Sequence, residues 1–296
     1  MSRLMDRLNA GEVLVSDGGT GTFLQDRGLE VGEAPEVWND SHPDDIRAMA
    51  EAYFAAGSNL VETNSFGGNR YRLRHAGLEE RVAEVNRTAA ELARSAAPED
   101  GLVIGSMGPT GEFLEPLGLA TAEDLARAFS EQAEALAEGG VDCLCVETMT
   151  AVEEAAIAVK SAKATGLPVI ATMTFDKGPR GFATSMGVTI PTAVETLVKA
   201  GVDVVGTNCG YGVDEMVEIV EQMGQLTKLP LMVQPNAGLP VMKDGNVVYE
   251  ETPEAMASRY AELISFGARI VGGCCGTGPA HIESIVRAVR SAGGEG

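Results

Sequence analysis

One unit recurs along this chain and restricts its fold more than any other feature. "AAGSNLVETN" (55–64), "EGGVDCLCVET" (138–148), "KAGVDVVGTN" (199–208) and "SFGARIVGGCC" (265–275) each end an amphipathic helical run on glycine. Glycine suits the left-handed helix C-cap. Each then turns directly into an apolar, partly β-branched run of strand length. Four more runs fit the strand half of the plan: "VLVSDGG", "LVIGSMGP", "PVIATMTF" and "PLMVQPNAG". The eight strands are expected to begin at Val13, Asn59, Leu102, Asp142, Pro168, Asp203, Pro230 and Arg269, 26 to 46 residues apart. Helix starts fall between them: Thr121 and Asp124 form a capping box, and Thr252-Pro253 places a cap before an N1 proline. Strands alternating with helices predict an α/β chain folded as a single (β/α)8 TIM barrel over residues 1–296. A doubly wound open sheet fits less well, because "DGGTGTFLQDRG" after the first strand lacks the G-x-G-x-x-G spacing.

Composition narrows the function classes. The net charge of −21 disfavours nucleic acid and anionic membrane surfaces as partners. The N-terminus lacks an apolar signal region, and no apolar run approaches the roughly 18 residues of a membrane span. Five cysteines without a leader point to a reducing cytoplasm, where grouped thiols bind metal or react.

In a barrel of this kind, chemistry gathers at the C-terminal ends of the strands. Those ends carry Asp17-Gly18-Gly19-Thr20, Thr63-Asn64, Ser106, Glu147-Thr148, Thr174, Asn208-Cys209-Gly210, Asn236 and Gly273-Cys274-Cys275. Cys209 at the end of the sixth strand and Cys274-Cys275 at the end of the eighth would therefore share one rim. Three soft thiolates suit Zn2+ and leave a tetrahedral position open. Adjacent strand residues point to opposite faces, so the backbone must bend for both thiolates to reach one ion. Glycines 272, 273 and 276 are read as permitting that bend. Cys143 and Cys145 alternate within one strand and read as packing. His42, His75 and His281 lie away from strand ends and read as structural or exposed.

The blocks "DGGTGT", "TNSFGGNRYRL", "GSMGPTG", "GVDCLCVET", "GTNCGYG", "PNAGLP" and "GGCCGTGPAHI" together resemble the homocysteine S-methyltransferase family, from about Gly11 to Val286. The resemblance implies a barrel whose catalytic zinc, at the C-terminal face, is held by Cys209, Cys274 and Cys275. The sulfur of L-homocysteine then takes the fourth position, is activated as a thiolate, and accepts a methyl group to give methionine. Asp17 and Glu147 are implied near the substrate ammonium. The Gly18-Gly19-Thr20 turn offers backbone N–H groups to its carboxylate, and Thr148 and Asn208 complete the expected substrate-binding set. Asn236 is read as orienting loops or substrate. Family members also form homo-oligomers.

The methyl donor is left open between a methyl-corrinoid, carried by a separate protein, and betaine, with sulfonium compounds third. Betaine's quaternary ammonium calls for an aromatic cage. Thr148 and Gly67 stand where the betaine enzymes carry tyrosines, leaving Trp38, Phe66 and Tyr71 as candidate cage members. The alternative to an enzyme is a catalytically inactive zinc- and homocysteine-binding barrel that acts as partner or regulator in a methyl-transfer complex.

Overall fold

The computed structural model describes residues 2–243 and 246–293. Eight parallel strands form one sheet: β1 (Leu14–Val15), β2 (Leu60–Glu62), β3 (Leu102–Met107), β4 (Cys143–Met149), β5 (Val169–Met173), β6 (Val204–Asn208), β7 (Leu231–Gln234) and β8 (Ala268–Val271). Every start lies within one residue of its expected position. The order β1-β8-β7-β6-β5-β4-β3-β2 brings β1 and β2 to the two sides of a seam. Besides a bond from the Ser58 hydroxyl to the Ser16 carbonyl (3.2 Å), three bonds cross it. The Asn59 amide donates to the Val15 carbonyl (2.6 Å), the Val15 amide donates to Asn59 Oδ1 (2.9 Å), and the Glu62 amide donates to Asp17 Oδ2 (2.8 Å). The closed sheet is the predicted (β/α)8 barrel.

The repeating glycines behave as their position in the unit predicts. Gly57, Gly140, Gly201 and Gly267 have φ of 101°, 90°, 93° and 109°, a region that residues with a Cβ avoid. The capping box at Thr121 and Asp124 forms, and the Thr252 side chain accepts from the Ala255 amide.

Two apolar layers surround the strands. The outer one packs strands against helices. The inner one fills the barrel near the N-terminal ends of the strands, with Leu14, Leu60, Leu102, Ile104, Ile170, Val204, Met232 and Ile270 around Cys143 and Cys145. Both cysteines are fully buried there as packing. An N-terminal helix, Arg3–Asn9, presses Leu4 and Leu8 into this layer and closes that end. The opposite end carries long loops. Two small hairpins stand on it, Asp176–Gly178 with Gly181–Ala183 and Val241–Lys243 with Asn246–Val248. Among the described residues, no helix is long and apolar enough to cross a membrane.

Candidate active site

The C-terminal ends of the strands open into a cavity of about 500 Å3. Cys209, Cys274 and Cys275 stand on its floor with their Sγ atoms within 4.8 Å of one another, and Cys209 Sγ lies 3.8 Å from Cys275 Sγ. All three are free thiols. β7, which lies between β6 and β8, brings them together. The Cys209 amide donates to the Gln234 carbonyl (3.0 Å), the Cys274 amide to the Pro235 carbonyl (2.8 Å), and the Cys275 amide to Asn236 Oδ1 (3.1 Å). Three consecutive residues at one strand end thus hold the three cysteine backbones.

The bend that lets neighbouring cysteines converge differs from the one read in the glycines. Of the three, only Gly276 has positive φ, at 80°. Gly272 and Gly273 are required by crowding instead. A Cβ on Gly272 would fall 2.2 Å from Ser16 Oγ, and one on Gly273 would fall 2.4 Å from Thr277 Oγ1. The further bend lies at Cys209 itself, with φ of 61°. Thr148 shares this left-handed geometry, with φ of 58°. A residue with a Cβ held there costs of order 1–2 kcal/mol, and such strain gathers at functional sites. Among the described residues these two are the non-glycine cases, and both line the cavity.

Beside the thiols lies a cluster of buried carboxyls. Glu147 Oε1 accepts from the Ser106 hydroxyl, and its Oε2 accepts from Asn208 Nδ2 (3.1 Å). Glu62 Oε1 accepts from Gln234 Nε2 (3.2 Å). Asp17 lies behind the wall, with Oδ2 on the Glu62 amide and Oδ1 buried and unpartnered. Burial pushes Asp17 and Glu147 up to about 7. Burial, with the charges of Glu147 and Asp17, lifts Glu62 well above the carboxylate range. The basic side chains of the lining are Arg72 and His75, from the segment after β2, and among the described residues no Lys or Arg bonds to the thiols or to these carboxyls. The site is therefore built to attract positive charge. A cation at the thiols and an ammonium at the carboxyls satisfy it.

Of the expected site residues, Gly18, Gly19, Thr20, Glu147, Thr148 and the three cysteines line the cavity. Asn208 stands behind them. Its Oδ1 accepts from the Thr148 amide (3.0 Å) and the Thr172 hydroxyl (2.8 Å), while its Nδ2 donates to Glu147 and to Thr148 Oγ1 (2.8 Å). The Gly18-Gly19 turn is pinned to the cysteine loop, because the Gly19 amide donates to the Thr277 carbonyl (2.9 Å) and the Tyr53 hydroxyl reaches both carbonyls (3.2 Å). Glu62 was not anticipated. Its signal is the tripeptide Val-Glu-Thr, which occurs at 61–63 as well as at 146–148. Of the cage candidates, Phe66 lines the cavity, whereas Trp38 is buried in the core, stacked on His42 at 4.1 Å. Tyr71 lies outside the lining. His281 is structural, with Nδ1 accepting from the Gly278 amide (3.3 Å).

The donor set fits zinc by its own chemistry: three soft thiols converge beside an open cavity. With only protons between them, hydrogen bonds from Cys209 and Cys274 draw the Cys275 thiol well below its ordinary range.

Residues 14–289 match the sequence model of the family described as homocysteine S-methyltransferase. The chain is 34% identical to methionine synthase of Mycobacterium tuberculosis across 97% of its length, and spans about a quarter (25%) of that longer protein. It is 33% identical to betaine–homocysteine S-methyltransferase 1 of Bos taurus, covering 95% of this chain and 73% of the relative. The metallated form of the Escherichia coli homocysteine methyltransferase MmuM superposes with a TM-score of 0.81 at 25% identity, covering 96% of this chain and 98% of that one. A family match over nearly the whole barrel coincides with a thiol cluster where three of its strands meet, and the chain belongs to the homocysteine S-methyltransferase family.

Proposed function

We propose that this protein transfers a methyl group to the sulfur of L-homocysteine, giving methionine. The observation that carries the reading is the convergence of Cys209, Cys274 and Cys275 within 4.8 Å, beside the carboxyls of Glu62 and Glu147 in one cavity. Cys209, Cys274 and Cys275 would hold Zn2+, which when bound lowers the pKa of a ligated thiol enough to make it a thiolate at neutral pH. The chain's own residues then set the geometry. Glu147, oriented by Ser106 and Asn208, and Glu62, oriented by Gln234, face the substrate ammonium. Asp17 supports this end by holding the Glu62 backbone. The Gly19 amide is already given to Thr277, so on the Gly18-Gly19-Thr20 turn the substrate carboxylate falls to the amides on either side. Asn208 holds Thr148 and Glu147 in one orientation, which keeps the thiol end aimed at the cysteines.

The donor reading that suits the cavity best is a methyl-corrinoid presented at the rim by a separate protein. Only one of the three cage candidates lines the cavity, which leaves a quaternary ammonium without its aromatic box. The loop tips at the same end expose Val31, Leu117, Leu119 and Met242, a surface suited to a docked carrier. Betaine is the second reading, supported by the likeness to the bovine enzyme over 95% of the chain. The five free thiols suit the cytoplasm as the setting.

The test is methionine formation from homocysteine with betaine, S-methylmethionine, S-adenosylmethionine, methylcobalamin and a methylated corrinoid protein offered separately. Turnover with the corrinoid protein supports the first donor reading, and turnover with betaine alone replaces it by the second. Zinc and homocysteine binding without methionine from any donor would instead identify a non-catalytic barrel.

A further inference from the structure

The segment after β2 supplies part of the cavity wall through a short helix, Arg70–Leu73, that runs on into one further turn, Arg74–Ala76. Asn69 caps its start, with Oδ1 accepting from the Arg72 amide (3.1 Å), and Gly77 ends it at a φ of 69°. Helical spacing sorts the basic residues of "NRYRLRH" (69–75) onto two faces. Arg70 and Arg74, four apart, pair with Glu131 (2.9 Å) and Glu112 (2.5 Å). Arg72 and His75, three apart, line the cavity instead, both exposed at its mouth. Among the described residues neither side chain has an ion pair or a hydrogen bond. The Arg72 guanidinium rests against Gly111 in the loop after β3, where an added Cβ would lie 3.6 Å from Nη1. The acids lining the same cavity from residues 32–36 are engaged elsewhere. Glu33 Oε2 accepts from the Glu30 amide (3.3 Å), and Glu36 Oε1 from the Gly67 amide (2.6 Å). A chain with 43 acidic and 22 basic residues thus leaves an arginine without a bonded carboxylate at the mouth of its cavity.

We infer that Arg72, flanked by His75, is an anion subsite at the cavity mouth, taking a carboxylate or phosphate group borne by the methyl donor. The planar guanidinium offers paired N–H donors that fit two oxygens at once, and a neutral imidazole adds one more N–H. Position assigns the anion to the donor rather than to homocysteine. The amino acid end of homocysteine is placed at Glu62, Glu147 and the Gly18-Gly19-Thr20 turn, and its sulfur at the cysteines. A methyl group bound for that sulfur arrives from the open side of the cavity, where Arg72 stands. Arg72 therefore grips a part of the donor that does not react. Such a contact holds donor and transition state alike, so it selects the donor and leaves the chemical step to the thiol end.

The subsite presupposes homocysteine in this cavity, as proposed above, and one set of probes tests both. Zinc-loaded wild-type, Arg72→Gln and Arg72→Lys proteins are titrated calorimetrically with L-homocysteine and with L-homocysteines alkylated on sulfur. A tail on that sulfur enters the space through which the methyl group arrives. The tails, in a range of lengths, end in a carboxylate, a phosphonate or a neutral carboxamide. In wild-type protein an anionic tail is expected to bind about ten-fold tighter than the carboxamide of the same length, the lower end of what hydrogen bonds to charged groups contribute. Arg72→Gln should abolish that advantage with carboxamide affinity unchanged, and Arg72→Lys should keep part of it. An advantage for the carboxylate alone supports the subsite and a carboxylate-bearing donor; one for the phosphonate alone supports the subsite and a phosphate-bearing donor. Anionic and neutral tails that bind alike at every length, or an advantage that survives Arg72→Gln, would overturn the subsite. An equal loss for homocysteine and every probe in Arg72→Gln would also overturn it, and would place Arg72 at the amino acid end or as a counter-charge to Glu36. Failure of folded wild-type protein to bind homocysteine or any probe would instead overturn the homocysteine reading, and the subsite with it. Circular dichroism of each variant confirms that the fold is intact.

Discussion

At the scale of single residues, the two buried glutamates divide the work of the site in a way that mutation can expose. Glu62 and Glu147 face the cavity from different strands, each held by an uncharged partner, so among the described residues neither bonds to a counter-charge. Replacing either by Gln keeps the shape and removes the charge. A hydrogen bond to a charged group contributes about 1.5–3 kcal/mol, so Glu147→Gln and Glu62→Gln should each weaken homocysteine binding roughly 10- to 100-fold. Titration calorimetry would measure this, and zinc content should be unchanged, because neither side chain belongs to the thiol set. Cys275→Ala should do the reverse and abolish stoichiometric zinc, which elemental analysis of purified protein would show. The difference between these residues also shows how far the sequence could be read. The cysteines announce themselves because an adjacent pair has few other uses and a barrel brings Cys209 to it. Glu62 was hidden in a strand read for its apolar residues, although it repeats the Val-Glu-Thr ending of β4. Asp17 was read as reaching the substrate, yet it sits one layer back, because the seam between β1 and β2 uses its carboxylate to hold the Glu62 amide.

At the scale of elements, the glycine that joins each helix to its strand is the most legible feature, and it is separable from packing. Gly201 has φ of 93°, and an added Cβ there would meet nothing within 4 Å. Gly201→Ala should therefore lose only the backbone preference, about 1–2 kcal/mol, without a cavity or clash. Urea unfolding should show a lower midpoint at unchanged slope. The N-terminal helix is a different case. Nothing in "MSRLMDRLN" marks it as part of the core, since seven residues are too few to show a period. Its Leu4 is nevertheless fully buried, and Leu8 is 5% exposed, against the floor of the barrel. Leu4→Ala should cost about 2–5 kcal/mol, the range for removing a buried leucine side chain. Homocysteine affinity should be retained, because the helix closes the end opposite the thiols. The two hairpins escaped the sequence reading for a related reason. Asp176–Gly178 and Val241–Lys243 are exposed along their whole length, so no apolar alternation marks them.

At the scale of the whole molecule, the acidic balance of the chain and its acidic site act together on stability. Asp17 and Glu147 are pushed up to about 7 by burial, and Glu62 is raised further. An unfolded chain releases these protons near the ordinary carboxyl pKa of about 4. Between about pH 4 and pH 7 the folded protein thus binds more protons than the unfolded one, and stability must fall as pH rises through that window. The surface acts in the same direction, since a net charge of −21 at pH 7 repels itself more as residual protons leave. High ionic strength separates the contributions, because salt screens the surface and leaves buried groups largely untouched. The thermal midpoint of ligand-free protein should therefore fall from mildly acidic to neutral pH even in high salt, and Glu147→Gln should flatten part of that slope. Homocysteine binding should follow the opposite trend. Its ammonium requires ionised carboxyls, so affinity should rise over the window in which the empty protein becomes less stable. A midpoint that stays level or climbs towards neutral pH would mean that the three carboxyls are ionised together in the empty site, and that a cation already compensates them. The protein is accordingly expected to be least stable, when empty, at the pH where it binds its substrate best.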